Sequence, residues 1–134
     1  MILPTFKESE EEELFKLLDK YLKDQDSPIN KEKYLAVQRE LGKEPDPNVM
    51  PLGFEDLPED AQVAVSIHSK LGNRVYGDVG YTGKDYTALP ILIDIYSIKN
   101  RLLLLDLLNM IDTFYINKSQ KQIKKMYDDM KKKK

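Results

Sequence analysis

The chain contains no cysteine, which removes disulfides, thiol nucleophiles and sulfur-rich zinc sites together and excludes a disulfide-stapled secreted fold. A reducing compartment suits it. The opening residues, Met1-Ile2-Leu3-Pro4, have no basic flank or long apolar core and run straight into acidic sequence, so no secretory signal is expected. Nor is there an unbroken hydrophobic run: Leu89 to Ile116 has the length of a bilayer span but holds Asp94, Lys99, Arg101, Asp106 and Asp112. Each charge at bilayer depth costs about 2.5–3.5 kcal/mol, so this stretch reads as core helix and no membrane contact is expected. An excess of one charge sign is missing too, the formal net charge being -2, yet acids gather at Glu8 and Glu10 to Glu13 and lysines at Lys131 to Lys134.

What is present reads as one domain of 134 residues, a size that fits a single core. The parts are an acidic N-terminal helix, a proline-rich loop at 43–53, a helical core at 54–116 and a basic C-terminal helix and tail at 117–134. Thr5 to Glu8 and Ser9 to Glu12 both match a capping box, so the first helix should begin between them. Its seam is Leu14, Leu18, Tyr21 and Leu22, widened by Leu17, and it should end near Asp24. Asn30 is placed to cap a second helix carrying Tyr34, Val37 and Leu41, with Gly42 as its left-handed stop. Pro45, Pro47 and Pro51 mark the loop, which Val49, Met50 and Leu52 should pack.

Pro58 suits the first turn of a third helix whose face runs through Ala61, Ala64, Val65, His68 and Leu71 before Gly72. Glycines at 77, 80 and 83 break helical periodicity from Asn73 to Tyr86 and predict a loop, with a short hairpin as the alternative. A fourth helix should open at Thr87 or Ala88, with Pro90 in its first turn and Ile91, Leu92, Ile95 and Ile98 buried. Asn100 should cap a fifth, built on Leu103, Leu104, Leu107, Leu108, Ile111 and Phe114. A sixth is expected after Asn117 or Ser119, with Ile123, Met126, Tyr127 and Met130 on its seam. The expected fold class is therefore all-α, a compact bundle of five or six helices with a glycine- and tyrosine-rich loop at 74–86.

Chemical motifs are weak. Gly77 to Asp85 has the glycines and lysine of a phosphate loop, but five residues separate Gly77 from Gly83 and Asp85 stands where the magnesium-binding hydroxyl belongs, so no nucleotide is expected. His68 is the only imidazole. Ser66 and Ser69 lie near it in sequence but on other faces of a helix, which makes a structural histidine the better reading. Asp56, Glu59 and Asp60, like Asp128 and Asp129, lack the spacing of a calcium loop and read as helix-start and solvated charges. No catalytic residue, metal or cofactor is expected, and the chain is read as a non-enzyme.

Two surfaces remain as binding candidates. Arg74, Tyr76, Tyr81, Lys84 and Tyr86 crowd around three glycines, and tyrosine and arginine are enriched at interface hot spots; the competing reading folds the tyrosines back over the helices. Lys124, Lys125 and Lys131 to Lys134 are a basic segment able to meet phosphates or an acidic protein, although scarce arginine argues against base-specific reading. A solvated helix face is the plainer account of these lysines.

The run Leu57-Pro58-Glu59-Asp60-Ala61-Gln62, then Leu71-Gly72-Asn73-Arg74-Val75-Tyr76, Gly80-Tyr81-Thr82-Gly83-Lys84-Asp85-Tyr86 and Lys118-Ser119-Gln120 before a lysine-rich helix carry a resemblance. Residues 54–134 resemble small structural or assembly-type proteins of large tailed bacteriophages, especially contractile-tailed phages of marine bacteria. The resemblance implies a virion or assembly accessory of the neck, tail or baseplate, found in host cytoplasm or virion. Its expected partner is another phage or host protein, or a second copy of itself. A nucleic-acid or transcription-machinery binding factor is the alternative.

Overall fold

The computed structural model describes residues 5–132, with side chains described from Glu10 onward. Five α-helices and one antiparallel strand pair are found among the described residues: α1 Thr5–Asp26, α2 Lys31–Leu41, α3 Glu59–Lys70, β1 Gly72–Tyr76, β2 Gly80–Asp85, α4 Leu89–Ile95 and α5 Arg101–Lys132. The chain divides into two compact units, Met1–Gln62 and Val63–Lys134, and the division falls inside α3.

In the first unit, Leu14, Leu18 and Leu22 recur every fourth residue along α1 and are buried, as are Leu57 and Ala61. Helix α1 runs to Asp26, two residues past the expected stop; the two capping-box hydroxyls, of Thr5 and Ser9, lie outside the described side chains. The caps of α2 follow the sequence. Asn30 Oδ1 accepts from the Lys33 backbone N–H at 3.0 Å, and Gly42 takes φ 66°, its own N–H bonding Arg39 O while that of Lys43 bonds Gln38 O. Yet α2 buries no residue, and Val37, Leu41 and Val49 are exposed, so the expected packing of the loop by Val49 does not occur. The loop is held by polar bonds instead. Asp24 Oδ2 accepts from the Leu52 N–H at 2.8 Å, and Tyr34 Oη accepts from the Asp46 N–H at 3.0 Å.

The second unit is built on α5. Leu103, Leu104, Leu107, Leu108 and Ile111 are buried along it, with Ala64, Ile67, Leu71 and Leu89 from the other elements of the unit. Asn100 caps α5 as expected, its Oδ1 accepting from the Leu103 N–H at 3.1 Å.

The all-α expectation is overturned by β1 and β2, which pair antiparallel as Gly72↔Asp85, Asn73↔Lys84, Val75↔Tyr81 and Tyr76↔Gly80. The register slips between Asn73 and Val75, so β2 carries a bulge at Thr82 and Gly83. Glycine supports this geometry twice: Gly80 at φ 84° closes the turn and Gly83 at φ 112° sits in the bulge, a region that other residues resist.

Two further expectations are corrected. The fifth and sixth helices are one helix of 32 residues. No glycine or proline interrupts it, and Ser119 does not cap a new helix because its hydroxyl accepts from the Tyr81 N–H of the hairpin at 3.2 Å. Helix α4 is short, and Ile91 and Ile95, expected in the core, are exposed at 64% and 69%. It ends as α2 does, with Ser97 N–H on Asp94 O and Ile98 N–H on Ile93 O, but here the left-handed position holds Ser97 at φ 52°.

Candidate functional site

Asp112 is the most highly bonded side chain of the second unit and is buried. Helical spacing explains its position: it follows Leu104 and Leu108 at intervals of four residues, about one turn each, on the buried stripe of α5. A carboxylate there needs partners, since desolvation of an unpaired charge is strongly unfavourable.

Its partners come from α3, from β2 and from the residue that follows β2. His68 Nε2 stands 2.7 Å from Oδ1, reached from the last turn of α3. Tyr81 Oη, from β2, donates to Oδ1 at 2.7 Å. Tyr86 Oη donates to Oδ2 from just beyond β2, and the Lys84 backbone N–H reaches Oδ2 at 3.3 Å. This last contact depends on Gly83, where an added Cβ would meet Oδ2 at 3.2 Å. Lys84 turns its ammonium aside to donate to Leu71 O at 3.0 Å, just past α3.

The electrostatics follow from these contacts. Burial alone would raise the Asp112 carboxyl, but hydrogen bonds from Tyr86, Tyr81, His68 and the Lys84 N–H outweigh it and hold the group below the ordinary value. Burial lowers His68, which Asp112 only partly offsets, so the ring is neutral at pH 7 and donates through Nε2. Desolvation and the neighbouring carboxylate push both tyrosine hydroxyls up, so they remain protonated donors. Burial also lowers the Lys84 ammonium against the pull of Asp112.

Chemically, a carboxylate with a histidine and two phenols could serve proton transfer if substrate reached it. Here all four donors belong to the chain itself, and they fasten β2 and α3 to α5. No buried side-chain polar atom among the described residues lacks a partner, and no three or more His, Asp or Glu side chains among them gather as a metal set.

The candidate residues separate into two groups. Tyr81, Lys84 and Tyr86 face α5 through the bonds just given. Arg74 and Tyr76 are exposed on β1, with Arg74 Nη2 donating to Tyr76 Oη at 3.3 Å. Lys124, Lys125, Lys131 and Lys132 are exposed on the last turns of α5, while Lys133 and Lys134 lie outside the described residues. Of the acid groups set aside in the sequence, Asp56 is bound with Glu55 to Lys31, at 2.7 and 2.6 Å, and Asp128 and Asp129 are exposed. In the first unit an open cleft lined by Tyr21, Gln25, Lys31, Leu35 and Phe54 has Lys31 as its cation, which those carboxylates already engage.

Sequence reasoning passed over Asp112, reading it only as a charge that forbids a membrane span. The signal was there: an acid four residues after Leu108 interrupts a buried stripe, and a buried carboxylate calls for donors.

The fold and site define a mainly helical unit whose hairpin is clamped to a long helix by one buried carboxylate. Comparison with protein-family models, with curated proteins and with solved structures finds no match. Among the described residues, no helix is long and apolar enough to cross a membrane.

Proposed function

We propose that the chain is a non-enzymatic accessory protein of a tailed bacteriophage, a virion component or assembly factor that acts by protein–protein binding through the end of α5. The observation that carries this reading is the exposure of Met126, Tyr127 and Met130, at 64%, 55% and 62%. Ile116, Ser119 and Ile123 lie against the hairpin glycines, and Met126 and Met130 continue their three- and four-residue spacing beyond it. Methionine suits an adaptable contact, and a cluster of apolar side chains in solvent gains by being covered. Lys124, Lys125 and Lys131 flank the stripe, so the chemistry fits an amphipathic, acidic helix or surface on the partner. The phage assignment rests on the resemblance of residues 54–134, and the non-enzymatic reading is supported by Asp112, whose bonds all go to groups of the fold itself.

Purification of tagged protein from an infected host should recover a virion or assembly protein. Met126→Ser with Met130→Ser should lose that companion while melting as wild type does. Recovery of no virion or assembly protein overturns the reading.

A second reading rests on the same helix. Lys121, Lys124, Lys125, Lys131 and Lys132 are exposed with no carboxylate within ion-pair distance among the described residues, and could bind nucleic-acid phosphates. Such binding must weaken steeply with salt, because it releases condensed counterions. A gel-shift titration at two salt concentrations tests it, and absence of low-salt binding, or binding unchanged by Lys124→Gln with Lys125→Gln, removes it.

A further inference from the structure

The two edges of the hairpin are treated differently. On the β2 side, the N–H of Tyr81 goes to Ser119 Oγ at 3.2 Å and that of Lys84 to Asp112 Oδ2 at 3.3 Å, so α5 seals that edge. Both N–H groups therefore point away from β1. Their cross-strand partners are Val75 and Asn73, and in an antiparallel pair the two residues of such a pair turn their backbone groups outward together. The intervening residues agree, since the carbonyls of Arg74 and Tyr76 accept from within the hairpin, from Thr82 Oγ1 at 3.0 Å and the Val79 N–H at 3.2 Å. The N–H and C=O of Asn73 and Val75 thus face solvent along β1, where every residue is exposed.

Among the described residues little blunts this edge, Arg74 being the one charged side chain on β1. Monomeric proteins guard open strands with proline, lysine, a bulge or a covering helix. Strand β1 has no proline or lysine, and the bulge lies on β2.

We propose that two copies of the chain pair β1 with β1, antiparallel about a two-fold axis at Val75, to form one four-stranded sheet. This register matches Val75 with itself, a β-branched pair, and sets each Arg74 opposite Tyr76 of the other copy. A register centred on Arg74 would instead oppose two like charges, which is unfavourable. The arrangement is self-complementary, as a two-fold interface requires. It also closes, because the outer edges of the four-stranded sheet are the two β2 strands already sealed by α5, so a dimer forms and a filament does not. The inference is independent of what the end of α5 binds.

Analytical ultracentrifugation of the full chain over a concentration series should show mass rising from one chain towards two. Val75→Pro removes an outward N–H while leaving the β1–β2 bonds in place, and should hold the protein at one chain with unchanged melting. Because the natural chain has no cysteine, Val75→Cys gives a second, independent reading. Directly opposed residues lie within disulfide reach, so this variant should oxidise to a covalent dimer, whereas Asp94→Cys, exposed on α4, should not. If Val75→Pro melts early, the cysteine pair decides. A wild-type chain that stays monomeric throughout, or a dimer that survives Val75→Pro with no cross-link at Val75→Cys, overturns the proposal.

Discussion

Gly83 and Asp112 meet backbone to carboxylate: a Cβ added to Gly83 would stand 3.2 Å from Oδ2, and the N–H of the next residue, Lys84, reaches that same oxygen at 3.3 Å. The bulge, the left-handed glycine and the buried acid are therefore one device, in which a strand bends to present backbone to a carboxylate.

Gly83→Ala should lower stability by about 1–3 kcal/mol, since it combines a strained φ with crowding of Asp112. Gly77→Ala is the control, because an added Cβ there meets nothing within 4 Å. Equal denaturation midpoints for the two variants would refute the device.

Asp112→Asn keeps the shape but removes the charge, and its amide N–H groups face hydroxyls and a ring N–H that now donate. The expected loss is about 2–4 kcal/mol, from weakened charge-assisted bonds and at least one unpaired buried donor. Chemical denaturation measures it, and a loss below about 0.5 kcal/mol, the range of ordinary surface changes, would show that the clamp is not structural.

Stability should fall in acid in two stages. Folding lowers His68 below its ordinary 6.5, so the unfolded chain takes up that proton first and stability declines as pH drops from 6.5 towards the lower folded value. Asp112, held below its ordinary 3.8, contributes stability that is present above 3.8 and disappears as pH falls through its folded value. In a plot of melting temperature against pH, His68→Gln should abolish the upper stage and keep the lower one. An unaltered upper stage would assign it to another group.

Two leucines two positions apart on α5 should differ sharply. Leu104 is 4% exposed and Leu102 is 71% exposed. Leu104→Asp buries an unpaired carboxylate and should cost about 4 kcal/mol, whereas Leu102→Asp lies in the first turn, where an acid suits the helix dipole, and should change stability by under about 0.5 kcal/mol. Matching thermal shifts would contradict the observed rotation of α5.

Ser97 holds a left-handed conformation at φ 52° where α2 uses Gly42. Ser97→Gly should stabilise by about 1 kcal/mol by relieving that strain. A melting temperature that falls would mean the serine side chain contributes more than the strain removes.

Helix starts and stops were legible wherever the deciding contact spans about one turn. Asn30 caps Lys33, Asn100 caps Leu103 and Gly42 ends α2, each through bonds reaching no more than five residues, and short-range chemistry is visible in short-range sequence. The stripe Leu103, Leu104, Leu107, Leu108 and Ile111 was legible for the same reason, because helical spacing alone gathers it on one side.

Tertiary structure decided whatever depends on distant partners. Ser119 is a sound N-cap by type, but Tyr81, 38 residues away, takes its hydroxyl, and α5 runs on unbroken. Residues 72–85 carry enough glycine that the sequence offers a hairpin only as the alternative to a loop, and the hairpin is held by bonds to α5 as much as by its own ladder. Ile91 and Ile95 have helical spacing, yet spacing names a face without saying whether another element covers it, and here both side chains are exposed. Asp112 shows the limit most plainly: its position on the buried stripe was set by local periodicity, but its four donors, 26 to 44 residues away, exist only once the chain has folded around it.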